Sequence, residues 1–566
     1  MKKFFCSILL IIIVLNCLCA LPFRERIYVQ TDKQLYLAGE MIRMKLLTTD
    51  SENNPTVFSK TGYAELVDDS IARIQIKVEL NHGTGEGRMQ LPVDLPTGYY
   101  RLIAYTQFMR NEAPDVFFEK NIAVVNTFQS GYFLSDDEPG TEPRLFQTSP
   151  PALSTGERAD AILLQTNKAV YPTRDGGELV LAGIPENIHT LSVSIAGKEW
   201  IPASESGMSL FQKNCTKPST TFTGDFSPEY EGHIVTGTII DNQTGRAEVN
   251  PDFITSGLTF TGDAIRFFPG QQTQTGNVRF FTSGVSGMNE IAIVVFDTGE
   301  KYRVDIQSPF VSKFEQKQNP ALRLDSAYYS QLLERSVALQ VLRYFSEEST
   351  ENRNISKPGF KMEPTRGYPL DDYTRFATMQ EVFTEFIVGA RFRRRDGKQE
   401  LSVLVRRGDS YIYGMTPLVF LDGVPISDHQ IIYDYDPLTV EHINVYYGPC
   451  MMGGFLFDGI VELKTYRRLH QGLVLNRSSQ IVSYEGPQLP QPLEIPDYPK
   501  GNNSVVMIPD SRHTLLWNPD VPTNGEASIR LPFYTSDLTG EFQATVEGVT
   551  KDGQFIFATA FFKVER

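Results

Sequence analysis

Apolar and polar positions alternate with a period of two along most of this chain, and Gly, Pro, Asn and Asp clusters interrupt the alternation at short intervals. Between residues 25 and 126 the runs ERIYVQTDKQLYLAGEMIRMKLLTTD, TGYAELVDD, IARIQIKVEL and GRMQLPVDLPTGYYRLIAYTQFM each place apolar side chains on one face of an extended strand. Short strands joined by tight turns predict a β-sandwich. Residues 127–155 are rich in turn formers and read as a linker. A second sandwich is expected over 156–225, led by ADAILLQTNKAVYPTRDGGELVLAGI and ENIHTLSVSIAG, with a weakly patterned excursion over 205–226. A third is expected over 226–310, from HIVTGTIIDNQTG, GNVRFFTS and NEIAIVVFD.

The period changes to that of a helix between residues 325 and 346. Asp325 or Ser326 can cap it, and Leu333, Val337, Val341 and Tyr344 form a stripe that predicts a docked connector helix. Residues 365–470 mix both periods. A short helix is expected over Thr378–Phe386, strands at 401–405, 417–425 and 443–447, a helix-like DPLTVEHI, and a closing strand at 459–465. Residues 472–505, rich in Pro and Asn, read as a second linker, and 506–566 as a last sandwich with Trp517 in its core. The fold class is multidomain and mainly β, a series of immunoglobulin-like sandwiches with one α/β domain.

Several stretches carry family resemblances. Tyr28-Val29-Gln30-Thr31-Asp32-Lys33-Gln34-Leu35-Tyr36 followed by Ala38-Gly39-Glu40 resembles the MG2 module of the alpha-2-macroglobulin family, with Ala38 where that family has a proline. Leu95-Pro96-Thr97-Gly98-Tyr99-Tyr100 is similar to the same module's late turn. Thr166-Asn167-Lys168 and Tyr171-Pro172 fall where Thr31-Asp32-Lys33 and Tyr36-Leu37 fell, which reads as a diverged internal repeat and makes 156–225 macroglobulin-like too. Residues 226–310 resemble a carboxypeptidase regulatory-like module, a non-catalytic sandwich; a sandwich of another family is the alternative. The tail, with Thr514-Leu515-Leu516-Trp517-Asn518-Pro519, resembles a further macroglobulin module.

Residues 416–466 resemble the second half of a TonB-dependent-receptor plug domain, through Pro417-Leu418-Val419-Phe420-Leu421-Asp422-Gly423-Val424-Pro425, the Gly448-Pro449 turn and Gly459-Ile460-Val461. A TonB box and a following barrel are not recognisable. The resemblance implies plug-turn or interface residues at Asp422, Gly423, Pro425, Tyr433, Tyr435, Tyr446, Tyr447, Gly448 and Gly459. Chains combining such sandwiches with a plug resemble a group of Bacteroidota envelope proteins.

Residues 1–20, MKKFFCSILLIIIVLNCLCA, pair a basic head with an apolar run and small residues, the pattern of a secretory signal peptide cut after Ala20. A retained anchor and a lipoprotein acylated at Cys17 or Cys19 are the alternatives, and neither cysteine follows a small residue. No later segment is long and apolar enough for a transmembrane helix. Net charge is −15, becoming about −17 once Lys2 and Lys3 leave, which disfavours nucleic acid and anionic lipid as general partners. Residues 391–395, RFRRR, are the densest basic cluster and are expected as a solvated strand end before the Asp396-Gly397 turn, with a local acidic contact as the alternative.

Candidate chemistry is sparse. Cys215 and Cys450 alone lie beyond the leader, and seven histidines scatter over five modules or linkers without metal-ligand spacing. Asp434-Tyr435-Asp436 precedes a proline, so helix capping accounts for Asp436. Nucleophile-elbow, phosphate-loop, dinucleotide and macroglobulin thioester patterns are missing. These readings give no catalytic, cofactor-binding or metal-ligating residue. The expected function is a non-enzymatic accessory scaffold, exported to the periplasm or cell surface, that docks to an outer-membrane receptor, channel or assembly complex, including a TonB-dependent-receptor-like barrel. A surface adhesin or structural protein and a degenerate TonB-dependent transport component are the alternatives.

Overall fold

The alternating runs between residues 25 and 125 pair as β1 (Glu25–Thr31), β2 (Leu35–Leu37), β3 (Met41–Asp50), β4 (Thr61–Asp68), β5 (Ile71–Glu79), β6 (Thr84–Gln90), β7 (Gly98–Tyr105) and β8 (Phe118–Val125). The structure is a computed structural model that describes residues 23–112, 114–129, 162–198, 207–215, 217, 222–248, 253–262, 266–296, 299–317, 322, 324, 328–345, 362–470, 472–494, 496, 498 and 509–566. The expected leader and most of the first linker lie outside them, as do Asp325 and Ser326. No helix among the described residues is long and apolar enough to cross a membrane.

The first eight strands form a three-stranded sheet, β1-β3-β6, and a five-stranded sheet, β2-β8-β7-β4-β5. Ile27, Val29, Met44, Leu46, Tyr63, Leu66 and Leu102 are all buried, and β1 is buried along its whole length. Next come β9 (Leu163–Thr166), β10 (Val170–Pro172), β11 (Gly176–Ala182), β12 (Ile188–Gly197) and helix α1 (Gly207–Cys215), the last of which occupies the excursion.

The chain then builds β13 (Ile234–Asp241), β14 (Thr255–Phe260), β15 (Phe267–Gln272), β16 (Asn277–Phe281), β17 (Met288–Phe296) and β18 (Tyr302–Ile306), and after them α2 (Tyr329–Phe345). The α/β region contains β19 (Arg366–Pro369), α3 (Met379–Glu385), β20 (Ala390–Arg395), β21 (Lys398–Arg407), β22 (Ser410–Gly414), β23 (Leu418–Leu421) and β24 (Val424–Ile426). It continues through α4 (Gln430–Tyr433), β25 (Val440–Met452) and β26 (Phe455–Thr465). The last strands are β27 (Ser479–Glu485), β28 (Thr514–Asn518), β29 (Ser528–Tyr534), β30 (Gly540–Thr550) and β31 (Phe555–Glu565).

The described chain divides into two compact units. One spans 1–230, 313–349 and 489–566, and the other spans 231–312 and 350–488. In the first unit the C-terminal strands correct the expectation of a separate last sandwich. They pair with β9–β12 in a three-stranded sheet, β9-β11-β29, and a five-stranded sheet, β10-β31-β30-β12-β28. Strand for strand this is the order of the first sandwich, down to the parallel pairs β2–β8 and β10–β31. The second sandwich is therefore the same fold, cut between its fourth and fifth strands. One core holds Leu179, Leu181, Leu191 and Val193 with Leu515, Phe533, Phe542 and Val546. Neither half covers its own apolar face, so residues 156–225 and 506–566 are not separate domains. Trp517 is buried too, on the sheet face away from that core and beside Glu86.

The two sandwiches meet through aromatic and polar contacts. Tyr28 stands edge-on to Phe118, Phe211 of α1 and Phe555, with ring centroids 5.3 to 5.5 Å apart. Its hydroxyl donates to Glu547 Oε2 at 2.9 Å, and the Thr514 hydroxyl donates to Asp32 Oδ2 at 2.9 Å. Gln30 accepts from the Ser192 hydroxyl. Buried polar groups require such partners.

Helix α2 packs on the first sandwich, but not through the expected stripe. Leu333, Val337 and Tyr344 are exposed, while Leu332, Arg335, Ser336 and Ala338 are buried. The inward face lies one residue earlier, a rotation of about 100°. That face packs Leu332 and Leu339 against Leu35, Leu37, Ala123 and Val125 and carries Arg335, whose partners lie in the sandwich.

In the second unit β13–β18 form one sheet, β18-β13-β16-β15-β14-β17-β27, to which β27 adds as an edge strand. That strand lies inside the stretch expected as a linker over 472–505. The α/β module has the order β20-β21-β25-β26-β23-β24, with β19 on β25 and β22 on β21. Helix α3 starts in a reciprocal capping box between Thr378 and Glu381. The helix-like DPLTVEHI is only a short turn over Pro437–Thr439, capped by Asp436, before β25 begins. The two modules of this unit share a cluster in which Phe267 packs with Leu418, Phe420, Tyr446 and Ile460.

A chain truncated after residue 505 tests the split sandwich. It loses β28–β31 and leaves the apolar faces of β11 and β12 uncovered. Limited proteolysis read by mass spectrometry should cleave within 162–198 while 25–125 stays protected. Continued protection of 162–198 would refute the shared core.

Candidate functional site

The sequence-predicted plug residues come together in the α/β module, where they shape its interior. The chain turns between β23 and β24 at Asp422 and Gly423, at φ 47° and 81°, in the left-handed region. The buried Asp422 carboxylate accepts the Thr465 N–H at 2.7 Å, the His470 N–H at 2.8 Å and the Thr465 hydroxyl. The Gly423 carbonyl accepts the Thr259 hydroxyl at 2.7 Å, and the Asp422 carbonyl accepts the Gly262 N–H at 3.0 Å. A Cβ on Gly423 would stand 2.9 Å from the Phe260 carbonyl oxygen. The turn therefore pins the end of β26 and the end of β14 together, and Pro425 is buried behind it in β24.

Tyr446 is buried and donates to Glu462 Oε2 at 3.2 Å. Burial, and then the neighbouring carboxylate, push its phenol well above the usual range. Tyr435 belongs to the module core. The half-buried Tyr433 donates to Gln380 and stands edge-on to Phe392 at 5.1 Å. Tyr447, also half-buried, donates to the Val388 carbonyl at 3.3 Å and lies against Gly389. Gly448 and Gly459 are buried where backbone and Val403 approach closely. Seven of these nine positions are thus buried and two are half-buried, which makes them turn and packing residues. The sequence grouped them in the right module, but residue type could not separate an interface tyrosine from a core one.

Among the described residues no group of three or more His, Cys, Asp or Glu side chains is placed to hold a metal ion. Cys450 is buried, and burial raises its thiol. His429 has a defined role: its Nδ1 accepts the Leu401 N–H at 3.2 Å, so that nitrogen carries no proton. Burial lowers its pKa to about 4, against the opposing pull of Asp428.

A charged cluster in the first unit escaped the sequence reading. Lys33 Nζ lies 2.7 Å from Glu40 Oε2, and Arg335 of α2 grips Glu40 with Nε to Oε1 at 2.8 Å and Nη2 to Oε2 at 2.6 Å. All three side chains are buried. Burial alone would raise the Glu40 carboxyl, but Arg335 and Lys33 beside it hold it well below the usual carboxylate range. His513, next to the same cluster, is driven well below its ordinary value by burial and by those two cations. The signal available in the sequence was Arg335 in the midst of an apolar helix.

The corner that holds Lys33 occurs twice. Thr31 donates to the Lys33 carbonyl at 2.6 Å, the Lys33 N–H to Tyr36 at 3.3 Å, and Tyr36 to Asp32 Oδ1 at 2.7 Å. Thr166, Lys168, Tyr171 and Asn167 repeat these bonds at 2.8, 3.1 and 2.5 Å. Lys168 pairs with Asp175 as Lys33 does with Glu40.

No family model matches the chain, and no curated protein matches it. Among solved structures it is similar to Escherichia coli alpha-2-macroglobulin activated by porcine elastase, at 9% identity over 95% of this chain and 44% of that one, with a TM-score of 0.25. Salmonella alpha-2-macroglobulin reacted with methylamine gives 8% identity, 95% and 39% coverage, and a TM-score of 0.24. The Escherichia coli adhesin FdeC gives 9% identity, 49% and 63% coverage, and a TM-score of 0.13. The chain spans less than half the length of those macroglobulins. Its mainly β, multidomain architecture is read from its own strand pairing.

Two measurements follow from the buried charges. Arg335→Met strands Glu40 and should cost roughly 3 kcal/mol, with Glu40→Gln added on top restoring part of it, in denaturant melts. An additive pair would show that the two side chains do not interact. For His429, the unfolded ring takes up a proton near 6.5 and the folded one near 4. Its contribution is complete above pH 6.5 and is lost as pH falls toward 4. Urea midpoints of the second unit should fall over that window, and less so in His429→Asn.

Proposed function

We propose that the chain is a non-enzymatic, extracytoplasmic interaction protein of the surface-adhesin or structural type. The observation that carries this reading is the construction of the first unit, in which two sandwiches of identical strand order are joined by buried hydrogen bonds and an aromatic cluster. Such a unit holds its outer loops and sheet faces at fixed positions, which suits presentation of binding surfaces. The buried charges serve packing, since Glu40 is held by both Lys33 and Arg335 and Asp422 is consumed by its own turn.

Docking to an outer-membrane receptor, channel or assembly complex is the second reading. The strand and turn order of residues 416–466 supports it. Burial of Asp422, Gly423, Pro425 and Tyr446 weighs against it, because docking would then use other surfaces. A degenerate transport component of the TonB type ranks behind both.

Labelling of intact cells with a membrane-impermeant amine reagent separates these readings. The surface reading expects modification of the chain before permeabilisation, and loss of attachment or cell–cell contact in a deletion strain. Labelling only after permeabilisation, with one outer-membrane protein recovered at equal stoichiometry by the tagged chain, would favour docking.

A further inference from the structure

The basic run RFRRR is strand β20, at the edge of its sheet, and it closes a hairpin with β21 through Asp396 and Gly397 at φ 48° and 87°. Side chains alternate across a strand, so Phe392 turns into the module core while Arg391, Arg393 and Arg395 share the outer face. Register with β21 and β22 brings Lys398, Arg406, Tyr411 and Tyr413 to that same side. All of these except Tyr413 are exposed.

Two of the cations are already neutralised. Arg395 lies 3.6 Å from Glu400, and Lys398 lies 2.6 Å from Asp428. Arg391 and Arg393 are held differently. Their guanidinium carbons stand 3.6 and 5.3 Å from the Tyr413 ring centroid. Among the described residues no carboxylate lies within ion-pair distance of either, nor of Arg406, whose Nε donates to the Gly408 carbonyl at 3.1 Å. A guanidinium stacked on an aromatic ring keeps its N–H edge outward, where it matches a carboxylate bidentately. The face is thus pre-oriented for anions; Glu400, opposite Arg393 in register, lies on it but pairs with Arg395.

We infer that this face binds an acidic polysaccharide, a glycan carrying a carboxylate on successive sugars. Alternate residues of a strand are about 7 Å apart, so Arg391 and Arg393 offer a repeating cation along a flat surface, which suits an extended polymer better than a compact anion. Tyr411, 54% exposed, stands on the same side and offers a ring against which a sugar face stacks. The net charge of −15 opposes any polyanion at long range, and opposes duplex nucleic acid, with a charge every ~1.7 Å, more than a glycan with one carboxylate per sugar. Leu404, the aliphatic side chain on this side, is half-buried, so the face offers no exposed aliphatic group to a lipid surface. This inference uses residues that the scaffold reading does not.

The test is binding of the full chain to immobilised polygalacturonate, with dextran, polyglutamate, duplex DNA and phosphatidylglycerol vesicles as parallel probes. Binding should be measurable at low salt, weaken as salt rises, and drop about tenfold or more in Arg391→Glu/Arg393→Glu, a loss of about 1.4 kcal/mol or more. The lysine pair Arg391→Lys/Arg393→Lys should fall between, and Tyr411→Ala should weaken polygalacturonate but not polyglutamate. Thermal melts verify that each variant is folded. Should the charge-reversed pair fail to fold, Arg406→Glu carries the same prediction. No polygalacturonate binding, equal binding by the reversed variants, or equal affinity for polyglutamate, DNA or vesicles would each overturn the inference.

Discussion

Strand β12 has a partner on each side, β28 and β30, that the ribosome makes only after the entire second unit. The second sandwich, and its contacts with the first, depend on that return. Until it happens, Leu191, Val193 and Ile195 have no cover, Tyr28 lacks Phe555 and Glu547, and Asp32 lacks Thr514. Closure entropy grows only logarithmically with loop length, about 0.6 kcal/mol per doubling, so a long insertion is thermodynamically tolerable. Kinetically it is demanding, since contacts this distant form late. The first sandwich is complete by residue 125 and offers the second a finished surface to close against.

Charge burial follows from the same arrangement. Glu40 sits in a turn of the first sandwich, and a carboxylate there would be unfavourable without Lys33 and the bidentate grip of Arg335. That grip lies on the same face of α2 as Leu332 and Leu339, which pack on the sandwich, and Leu333, Val337 and Tyr344 are left outward. In the repeated corner, Lys168 and Asp175 keep the pairing but stay partly exposed, and among the described residues no helix arginine pairs with them.

How much was legible depends on the range of the interaction concerned. The corners around Tyr36 and Tyr171 were visible because all their hydrogen-bonding groups lie within a few residues, so a local pattern recurs as a local structure. The plug-like turns were likewise locatable from Asp422-Gly423 and Gly459, whose backbone angles restrict residue type. Their role was not, because an aspartate aimed at Thr465 and His470 has the same local sequence as one aimed at solvent. Edge strand β27 hid in a proline-rich stretch, since its short run acquires meaning only beside β17.

By itself the sequence determined the strand-rich class, the helix at α2, the internal repeat, and a basic strand against an acidic background. Those properties are set by side-chain periodicity and composition, which act over a few residues. The tertiary structure alone decided that the tail completes the second sandwich, which face of α2 points inward, and that Tyr446 is core while Tyr411 is surface. Each of these turns on which apolar face meets which, and pairing between distant strands carries no local signature.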